Sequence, residues 1–334
     1  MRSFSFKRAA DPADAVKSLA ADAKGKFIAG GTNLVDLMKE GIEQPASLVD
    51  ISRLSLSVVR ALPGGGVSIG ALAKNADTAN HPLIRKSYPL LTQAILAGAS
   101  PQIRNMATNG GNLNQRTRCA YFYDLGTPCN KRQPGSGCPA KDGLSRHSAI
   151  FGWSDSCVAV HPSDMCVALA ALDAVVKVRG VNGHERSIAF TDFHRLPEGT
   201  PEKDNTLAYG ELITAIELPR SPFGQRSNYL KLRDRASYAF ALVSVAAAME
   251  TGKNGEIVQA RIALGGVAHK PWRAVDAEKF LVGKRPVEET FKQAADIALK
   301  DAKPLKENGF KVNMARRAIV RALNNSIKQG AATK

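Results

Sequence analysis

The chain has 334 residues, of which 44% are hydrophobic and 23% charged, a composition typical of globular proteins that excludes a long disordered chain. This length predicts two or three domains. Lysine and arginine exceed aspartate and glutamate by 16 charges, which suits a nucleic acid, an anionic cofactor or an acidic partner. The positive charge is spread along the chain, and no zinc-finger spacing or aromatic RNA-binding motif occurs, so we predict no nucleic-acid partner.

Neither a membrane segment nor a secretory signal is predicted. No apolar run approaches the ~20 residues that a membrane helix requires. The first residues, Met1–Arg8, lack the apolar stretch of a signal peptide. We therefore expect a soluble protein without membrane insertion and without an export signal of its own.

Helical and strand-like periods alternate through the first hundred residues. They predict, in chain order, a strand at 2–8, a helix at 13–23 after Asp11-Pro12, a strand at 26–29, a helix at 33–39, strands at 47–51 and 67–69, and a helix at 83–98. Residues 115–157 differ because they are rich in glycine, proline, arginine, cysteine and aromatic residues and have no sustained period. We predict one long irregular loop there, and loops of that length are usually functional or disordered.

Regular periods return after residue 162 and continue to the end of the chain. They predict a helix at 165–172, a hairpin of 175–178 and 186–190 around Val181-Asn182-Gly183, a strand at 211–218, strands at 239–249 and 258–265, and helices at 286–301 and 312–327. A domain boundary is predicted at 219–224. The organisation is α+β.

Two glycine-containing segments are candidate anion sites. Gly30 and Gly31 stand between a predicted strand and a predicted helix, and Gly110 and Gly111 stand in a second segment with Thr108. Glycine lets the backbone approach a ligand closely, and the amides that follow can bind a pyrophosphate. Neither segment has the Rossmann or P-loop spacing. Taken alone, each could be a simple turn, but as a pair they could hold the two ends of a dinucleotide.

The two glycine segments, together with His161-Pro-Ser-Asp164, Lys231–Leu242 and Ala263–Arg273, resemble the FAD-binding subunit of the xanthine dehydrogenase, or molybdenum hydroxylase, family. The resemblance covers essentially the whole chain, and its nearest branch is bacterial periplasmic aldehyde oxidoreductase. It implies a vanillyl-alcohol-oxidase-type (PCMH) FAD-binding fold at 1–220, with subdomains at about 1–60 and 61–220. It also implies a C-terminal α+β domain like that of the CO dehydrogenase flavoprotein at 221–334.

The resemblance also implies the residues that hold FAD. The first segment would cradle the pyrophosphate, Thr108, Gly111 and Asn112 would hold the adenylate and diphosphate, Asp164 would lie on the adenosine side, and Ile213 and Lys231 would approach the isoalloxazine. The first segment consists of Lys26, Phe27, Ile28, Ala29, Gly30, Gly31, Thr32, Asn33 and Leu34. No substrate-oxidising residue is expected on this subunit.

All five cysteines lie between residues 119 and 166, inside or just after the irregular loop. Clustering in a large chain indicates a metal or cluster site rather than a disulfide framework. From the residues alone, structural zinc and an iron–sulfur cluster both remain open, although zinc usually uses short Cys-x₂₋₄-Cys spacings that are absent here. The family resemblance implies a [4Fe–4S] cluster in a loop inserted at about 115–160, bound by Cys119, Cys129, Cys138 and Cys157. Cys166, in an apolar predicted helix, is interpreted as a buried free thiol.

The implied function is electron transfer. In this family a partner subunit with a molybdenum cofactor oxidises the substrate, here an aldehyde, and its electrons pass through [2Fe–2S] clusters on another subunit to FAD and then to an external acceptor. A xanthine dehydrogenase or an aryl-CoA reductase complex is the alternative within the family. A basic nucleic-acid-binding protein with a structural metal is the alternative of another class. The resemblance also implies export to the periplasm as a folded complex on a partner's signal, with a cytoplasmic complex as the alternative.

Overall fold

The fold is built around three β-sheets, seen in a computed structural model that describes residues 1–331. The first sheet is parallel, with strand order β1-β3-β2, and its elements are β1 (Ser5–Arg8), α1 (Pro12–Ala20), β2 (Gly25–Ile28), α2 (Leu34–Lys39) and β3 (Ser47–Asp50). Asp11 caps α1 by accepting hydrogen bonds from the amides of Ala13 and Asp14. This unit places the turn after β2 at the carboxyl edge of the sheet.

The second sheet is antiparallel, with strand order β4-β5-β8-β6-β7. Its strands are β4 (Val59–Ala61), β5 (Val67–Gly70), β6 (Val175–Arg179), β7 (Glu185–Ala189) and β8 (Leu212–Leu218). Its helices are α3 (Asn75–Asn80), α4 (Pro82–Ser87), α5 (Pro89–Ala97), α6 (Pro101–Met106), α7 (Asn109–Leu113), α8 (Ala120–Tyr123), α9 (Asp164–Ala171) and α10 (Phe190–Phe193). The predicted hairpin at β6–β7 is confirmed, with Asn182 in the left-handed region at φ 59°.

The third sheet is antiparallel, with strand order β12-β11-β10-β9, and three helices follow it. The elements are β9 (Ser227–Leu232), β10 (Val243–Thr251), β11 (Ile257–Gly265), β12 (Trp272–Arg273), α11 (Val275–Leu281), α12 (Glu288–Leu299) and α13 (Phe310–Ala331). Val245 and Ala247 of β10 pack into the core with the C-terminal helices, whereas Ala246 and Ala248 pack into the core that contains α5 and α9. Because both faces are covered, β10 is apolar without interruption from Val245 to Met249 instead of alternating.

Several predicted elements differ from the observed ones. The predicted helix at 83–98 is two helices that meet at Tyr88, because Pro89 begins the second. The second glycine segment is not an open turn but a short helix, α7. Strand β9 and helix α11 were not predicted. Residues 115–157 hold only α8 and one turn of 3₁₀-helix at Pro139–Lys141, as the prediction of an irregular loop requires.

The predicted domain boundary lies in the connection between β8 and β9. The core of the second sheet nevertheless continues into β9–β11 through Tyr229, Ala246 and Ala263, so the division at residue 220 stays a prediction. Across residues 1–331, none of the helices has the length and apolar character needed to cross a bilayer.

Candidate functional site

The first glycine segment is a turn that leaves β2 and enters α2. Gly31 has φ +73°, a conformation that side chains with a Cβ rarely adopt. A Cβ atom on Gly30 would lie only 2.1 Å from the carbonyl oxygen of Met106, which directly precedes the second glycine segment. Gly30 is therefore required for the close approach of the two segments to one another.

A cavity of about 610 Å³ opens beside this turn. All nine predicted residues of the first segment, Lys26–Leu34, line the cavity, as do Thr108, Gly111 and Ile213. The side-chain amide nitrogen of Asn33 is buried and has no hydrogen-bond partner in the described part of the chain. A glycine turn, an unpartnered amide donor and a large cavity fit the backbone-lined cradle that a dinucleotide pyrophosphate requires. We call this space the glycine-loop cavity.

The second glycine segment lines the glycine-loop cavity through Thr108, Gly110 and Gly111. Thr108 caps α7, its hydroxyl accepting a hydrogen bond from the Gly111 amide at 3.2 Å. The Asn112 side chain donates to the Asn75 side-chain oxygen at 2.7 Å and accepts from the Ser163 hydroxyl at 2.5 Å. Asn112 is therefore committed to hydrogen bonds within the protein and does not line the glycine-loop cavity, unlike Thr108 and Gly111.

A second cavity, of about 670 Å³, is lined by Ser163, the residue that donates to Asn112. Asp164, Ser244 and Gly266 line it, as do Arg118 and Phe240, whose guanidinium carbon and ring centroid are 5.2 Å apart. Most of the surface that lines this cavity is apolar, as is typical of a site for a planar ring system. We call this space the Asp164 cavity.

Asp164 belongs to a buried hydrogen-bonded group. One carboxylate oxygen accepts from the Tyr229 hydroxyl at 2.7 Å, and the other accepts from the Lys231 ammonium at 2.8 Å. The Lys231 and Asp164 side chains are only 5% and 7% exposed. Burial, with the nearby Asp164 charge, raises the pKa of Tyr229 well above its usual value, so the phenol stays protonated and donates.

These contacts bear on the expected division of residues between the two ends of FAD. Asp164 and Lys231 were expected at opposite ends, but they form one ion pair. Ile213 was expected beside Lys231, but it lines the glycine-loop cavity, where its Cβ lies near Gly110. Asp164 and Lys231 therefore lie at one place, and which end of FAD each cavity holds stays a prediction, because sequence order does not reveal which strand of which sheet faces each cavity.

Removing one partner of the Lys231–Asp164 ion pair should destabilise the fold strongly. We expect Lys231→Met to lower the free energy of unfolding by about 3–5 kcal/mol, because it leaves a buried carboxylate without its cation. Lys292→Met is the matched control, since Lys292 pairs with Glu288 on an exposed helix surface. This variant should lower the free energy of unfolding by less than about 1 kcal/mol. Urea denaturation measures both, and similar effects for the two variants would contradict the structural role of the pair.

Four cysteines of the irregular loop surround a single third cavity. Cys119, Cys129, Cys138 and Cys157 all line it, although up to 38 residues separate them in sequence. The Cys157 thiol donates a hydrogen bond to the Cys138 sulfur, which lowers the pKa of Cys138 and raises that of Cys157. All five cysteines are free thiols, so the described residues contain no disulfide. We call this space the cysteine cavity.

Backbone amides point at several of these sulfurs. Burial raises the pKa of Cys119, while the amides of Tyr121 and Phe122 oppose that rise. The amides of Ala140 and Val158 hydrogen-bond to Cys138. Amide donors of this kind stabilise thiolates, and hydrogen bonds to sulfur are characteristic of iron–sulfur sites. The donor set fits four thiolate ligands around one metal centre.

Cys166 lies apart from this cavity, inside α9, where it approaches His161 and His194. The three potential ligand atoms lie within 4.8 Å of one another, which would suit a metal ion. Ser163 donates its amide hydrogen to Nδ1 of His161, which leaves the proton on Nε2, and Nε2 of His194 faces the Leu113 carbonyl as a donor. Only Nδ1 of His194 therefore keeps a lone pair that accepts no hydrogen bond, and we interpret the group as packed core, as expected for Cys166.

Three buried histidines around this core predict acid sensitivity. Burial lowers the pKa of His194 to about 4 and that of His269 to about 3, and it lowers that of His161 well below 6.5. Between these values and 6.5 the unfolded chain binds more protons than the folded one, so stability falls as pH drops below 6.5. The loss is about 1.4 kcal/mol per histidine per pH unit.

His269 offers the clean test because neither of its ring nitrogens has a hydrogen-bond partner among the described residues. We expect His269→Phe to remove about one proton from the uptake on unfolding at pH 5 and to raise stability there. Urea denaturation between pH 7 and pH 5 measures this dependence. A slope equal to that of the wild type would contradict the burial of a neutral imidazole.

Comparison with known proteins agrees with this geometry. Residues 2–221 match the family described as FAD binding domain in molybdopterin dehydrogenase, and residues 228–326 match the CO dehydrogenase flavoprotein C-terminal domain. The chain is 48% identical to the aldehyde oxidoreductase FAD-binding subunit PaoB of Escherichia coli (strain K12), over 97% of this chain and 98% of that one. It is 30% identical to the glyceraldehyde dehydrogenase medium chain of Sulfolobus acidocaldarius, over 87% and 85% of the two chains.

Solved structures show the same fold. A chain of reconstituted CO dehydrogenase from Oligotropha carboxidovorans superposes with a TM-score of 0.77 at 24% identity, covering 98% of this chain and 99% of that chain. The predicted FAD-binding fold and C-terminal flavoprotein domain are thereby confirmed. The chain belongs to the FAD-binding medium subunits of the molybdenum hydroxylase family and is an oxidoreductase subunit that binds FAD.

Proposed function

We propose that this chain carries both FAD and a [4Fe–4S] cluster inside a heterotrimeric molybdenum-containing aldehyde oxidoreductase. In this complex it would receive electrons from [2Fe–2S] clusters of a small subunit and deliver them to an external acceptor, while a large subunit with the molybdenum cofactor converts aldehyde to carboxylic acid. Similarity to an aldehyde oxidoreductase subunit and to a glyceraldehyde dehydrogenase chain supports the aldehyde as substrate class.

The convergence of four cysteines on one cavity is the observation that supports the cluster. Thr117, Cys119 and Ala159 line both the cysteine cavity and the Asp164 cavity, so the two spaces share a wall. A cluster bound to Cys119 would therefore adjoin the Asp164 cavity directly. When bound, such a cluster supplies one-electron redox chemistry, and zinc in the same four thiolates would supply none.

We further propose that the isoalloxazine end of FAD occupies the Asp164 cavity and that the adenosine end lies toward Ile213. The two cavities together suit an extended cofactor, because Gly111 of α7 lines the glycine-loop cavity and the next residue, Asn112, accepts a hydrogen bond from Ser163, which lines the Asp164 cavity. Lys231 and Tyr229 hold Asp164 in place, and the Lys311 ammonium donates to the carbonyls of Ser148 and Gly266, which line the same cavity. These residues shape and fasten the cavity rather than react.

Metal analysis and spectroscopy of the purified chain test the two cofactors. We expect one flavin with about four irons and four acid-labile sulfides per chain, and absorption from both groups. Zinc in place of iron would refute the cluster and leave the FAD subunit assignment standing. The alternative of a nucleic-acid-binding protein predicts neither flavin nor iron, and the family match supports the flavoprotein instead.

The substrate class is tested on the complete complex, because the molybdenum subunit selects the substrate. Assays with aldehydes, purines and acyl-CoA compounds separate the aldehyde oxidoreductase from the xanthine dehydrogenase and aryl-CoA reductase alternatives. Turnover of purines without aldehyde turnover would overturn the proposal.

We also propose that the complex is exported to the periplasm after folding, on the twin-arginine signal of a partner subunit. The resemblance to periplasmic aldehyde oxidoreductase supports this location. Fractionation of cells that express all subunits, with and without the partner's signal, is the test. Activity that stays in the cytoplasm with the signal intact would favour the cytoplasmic alternative.

A further inference from the structure

A chain of alternating charges links the first glycine segment to the irregular loop at 115–157, which contains the four clustered cysteines and which we call the cysteine loop. Lys26 pairs with Glu43 at 3.0 Å, and Glu43 pairs with Arg116 at 2.8 Å. Arg116 pairs with Asp204 at 2.9 Å, and Asp204 pairs with Lys131 at 2.6 Å. We call these five side chains the charge chain. Its first member lies in the glycine segment and its last lies two residues after Cys129.

The inner members of the charge chain and Lys131 at its end are largely removed from solvent. The side chains of Arg116 and Glu43 are 18% and 11% exposed, and that of Lys131 is 1% exposed. Lys131 also donates to the Pro201 carbonyl at 2.7 Å and lines the cysteine cavity. Partly buried pairs of this kind are screened less than surface pairs, so each member depends on its neighbours for its position.

Arg116 contacts both the first glycine segment and the part of the cysteine loop around Lys131. Its backbone amide donates to the side-chain oxygen of Asn33 in the glycine segment at 2.9 Å. Its guanidinium donates to the backbone carbonyl of Lys131 in the cysteine loop at 3.3 Å, in addition to its two carboxylate partners. The planar fork of arginine can make these contacts at once, which a lysine ammonium cannot.

Apolar contacts join the same two segments. Leu37 of α2 packs with Phe122 and Cys129 of the cysteine loop, and all three are buried. The Tyr123 hydroxyl donates to the Asp36 carboxylate at 3.1 Å. The cysteine loop is thus fastened to the helix that follows the glycine segment, by packing as well as by charge.

We propose that Arg116 is a positioning residue through which metal loading of the cysteine loop raises the affinity of the glycine segment for FAD. The proposal rests on the proposed cluster. A cluster holds residues 119–157 in one arrangement, which keeps Lys131 against Asp204 and, through Arg116, keeps Asn33 and Lys26 in place. Without metal the cysteine loop is free to move. FAD binding must then also order the glycine segment, which lowers the affinity for FAD. The coupling is reciprocal, so FAD also favours metal loading.

The dissociation constant of FAD, measured by flavin fluorescence on the full chain with and without iron, tests this coupling. Iron is removed by chelation from the wild type and, independently, by Cys138→Ser, since Cys138 is not among the residues packed on Leu37. We expect FAD to bind on the order of tenfold more weakly without iron. In Arg116→Lys and Asp204→Asn this ratio should approach one.

The ratio separates coupling from direct contact, because a lost contact with FAD weakens binding equally in both metal states. Lys141→Gln is the matched control: Lys141 is a cation of the same loop that pairs with exposed Asp155 outside the charge chain, so it should keep the tenfold ratio. Equal dissociation constants for iron-loaded and iron-free wild type would overturn the inference and leave the proposed function intact. A chain that takes up no iron and sulfide would instead refute the proposed cluster, and the inference with it. A full tenfold ratio in both Arg116→Lys and Asp204→Asn would overturn the role of Arg116.

Discussion

Gly111→Val is expected to abolish FAD binding while the chain still folds. Gly111 is exposed on α7 and lines the glycine-loop cavity, and a Cβ there would meet only its own cap, the Thr108 hydroxyl, at 3.0 Å. The valine methyl groups would therefore project into the space that FAD requires. Purified variant should contain less than about a tenth of the wild-type flavin, with a Tm within a few degrees of the wild type. Flavin release on denaturation and a thermal melt measure these two quantities.

Gly30→Val gives a different expected result, although sequence reasoning assigns both glycines to the same cradle. Its Cβ would collide with the Met106 carbonyl, so the variant should lose stability as well as flavin. Gly309→Val is the matched control because a Cβ there meets no atom within 4 Å and Gly309 lines none of the three cavities. Full flavin content in Gly111→Val would show that the cofactor does not pass along α7.

The sequence predicts the site well where the signal is local. The Gly30-Gly31 turn between a strand and a helix follows from short-range patterns, and so does the irregular cysteine loop. The second glycine segment was expected as a turn because its glycines and asparagines are poor helix formers. It is helical since Thr108 caps it and Gly110 packs against Ala71, which are contacts that no local pattern contains.

The contacts that connect distant segments could not be predicted. Arg116 and Asp204 are separated by 88 residues, and either would look like an ordinary surface charge in one sequence. The same is true of Tyr229, whose partner Asp164 lies 65 residues earlier, and of His194, whose ring contacts His161. A charge or an imidazole carries no sign of its partner, because pairing is decided by how the sheets and helices pack rather than by the local sequence.

Serine substitution of any of the four cysteines in the cysteine cavity is expected to remove the cluster. Cys119, Cys129, Cys138 and Cys157 line one cavity and would each supply one sulfur to the proposed cluster, and a cubane needs one thiolate per iron. Cys166→Ser is the matched control, since Cys166 is fully buried in α9 and does not line that cavity. Iron and sulfide should fall to near zero in the four variants and stay at about four in the control. A cluster retained in one of the four variants, or lost in Cys166→Ser, would overturn the ligand set.

A cysteine-to-serine variant can lose thermal stability, assembly, FAD affinity and flavin reduction. The order in which it loses them distinguishes the possible roles of the cluster. From the sequence we expect the cluster mainly to brace the loop against a neighbouring subunit. The structure adds that the loop also packs against Leu37 of its own chain and joins the charge chain through Lys131. Both kinds of bracing predict that Cys138→Ser loses thermal stability, assembly or FAD affinity first. FAD that remains bound in surviving complexes should still be reduced at close to the wild-type rate.

If the cluster is instead an obligatory electron relay to FAD, a ligand variant should lose flavin reduction before it loses stability, assembly or FAD affinity. The wall shared by the cysteine and Asp164 cavities at Cys119 places the proposed cluster next to the proposed flavin ring, so an electron route through it is geometrically reasonable. The amides near the Cys119 and Cys138 sulfurs and the Lys131 ammonium, which lines the same cavity, would favour the reduced form of such a cluster and raise its potential. Stopped-flow reduction of FAD by aldehyde in the complete complex decides between the two roles. Intact assembly with reduction slowed by orders of magnitude in Cys138→Ser would contradict bracing and make the cluster an obligatory relay.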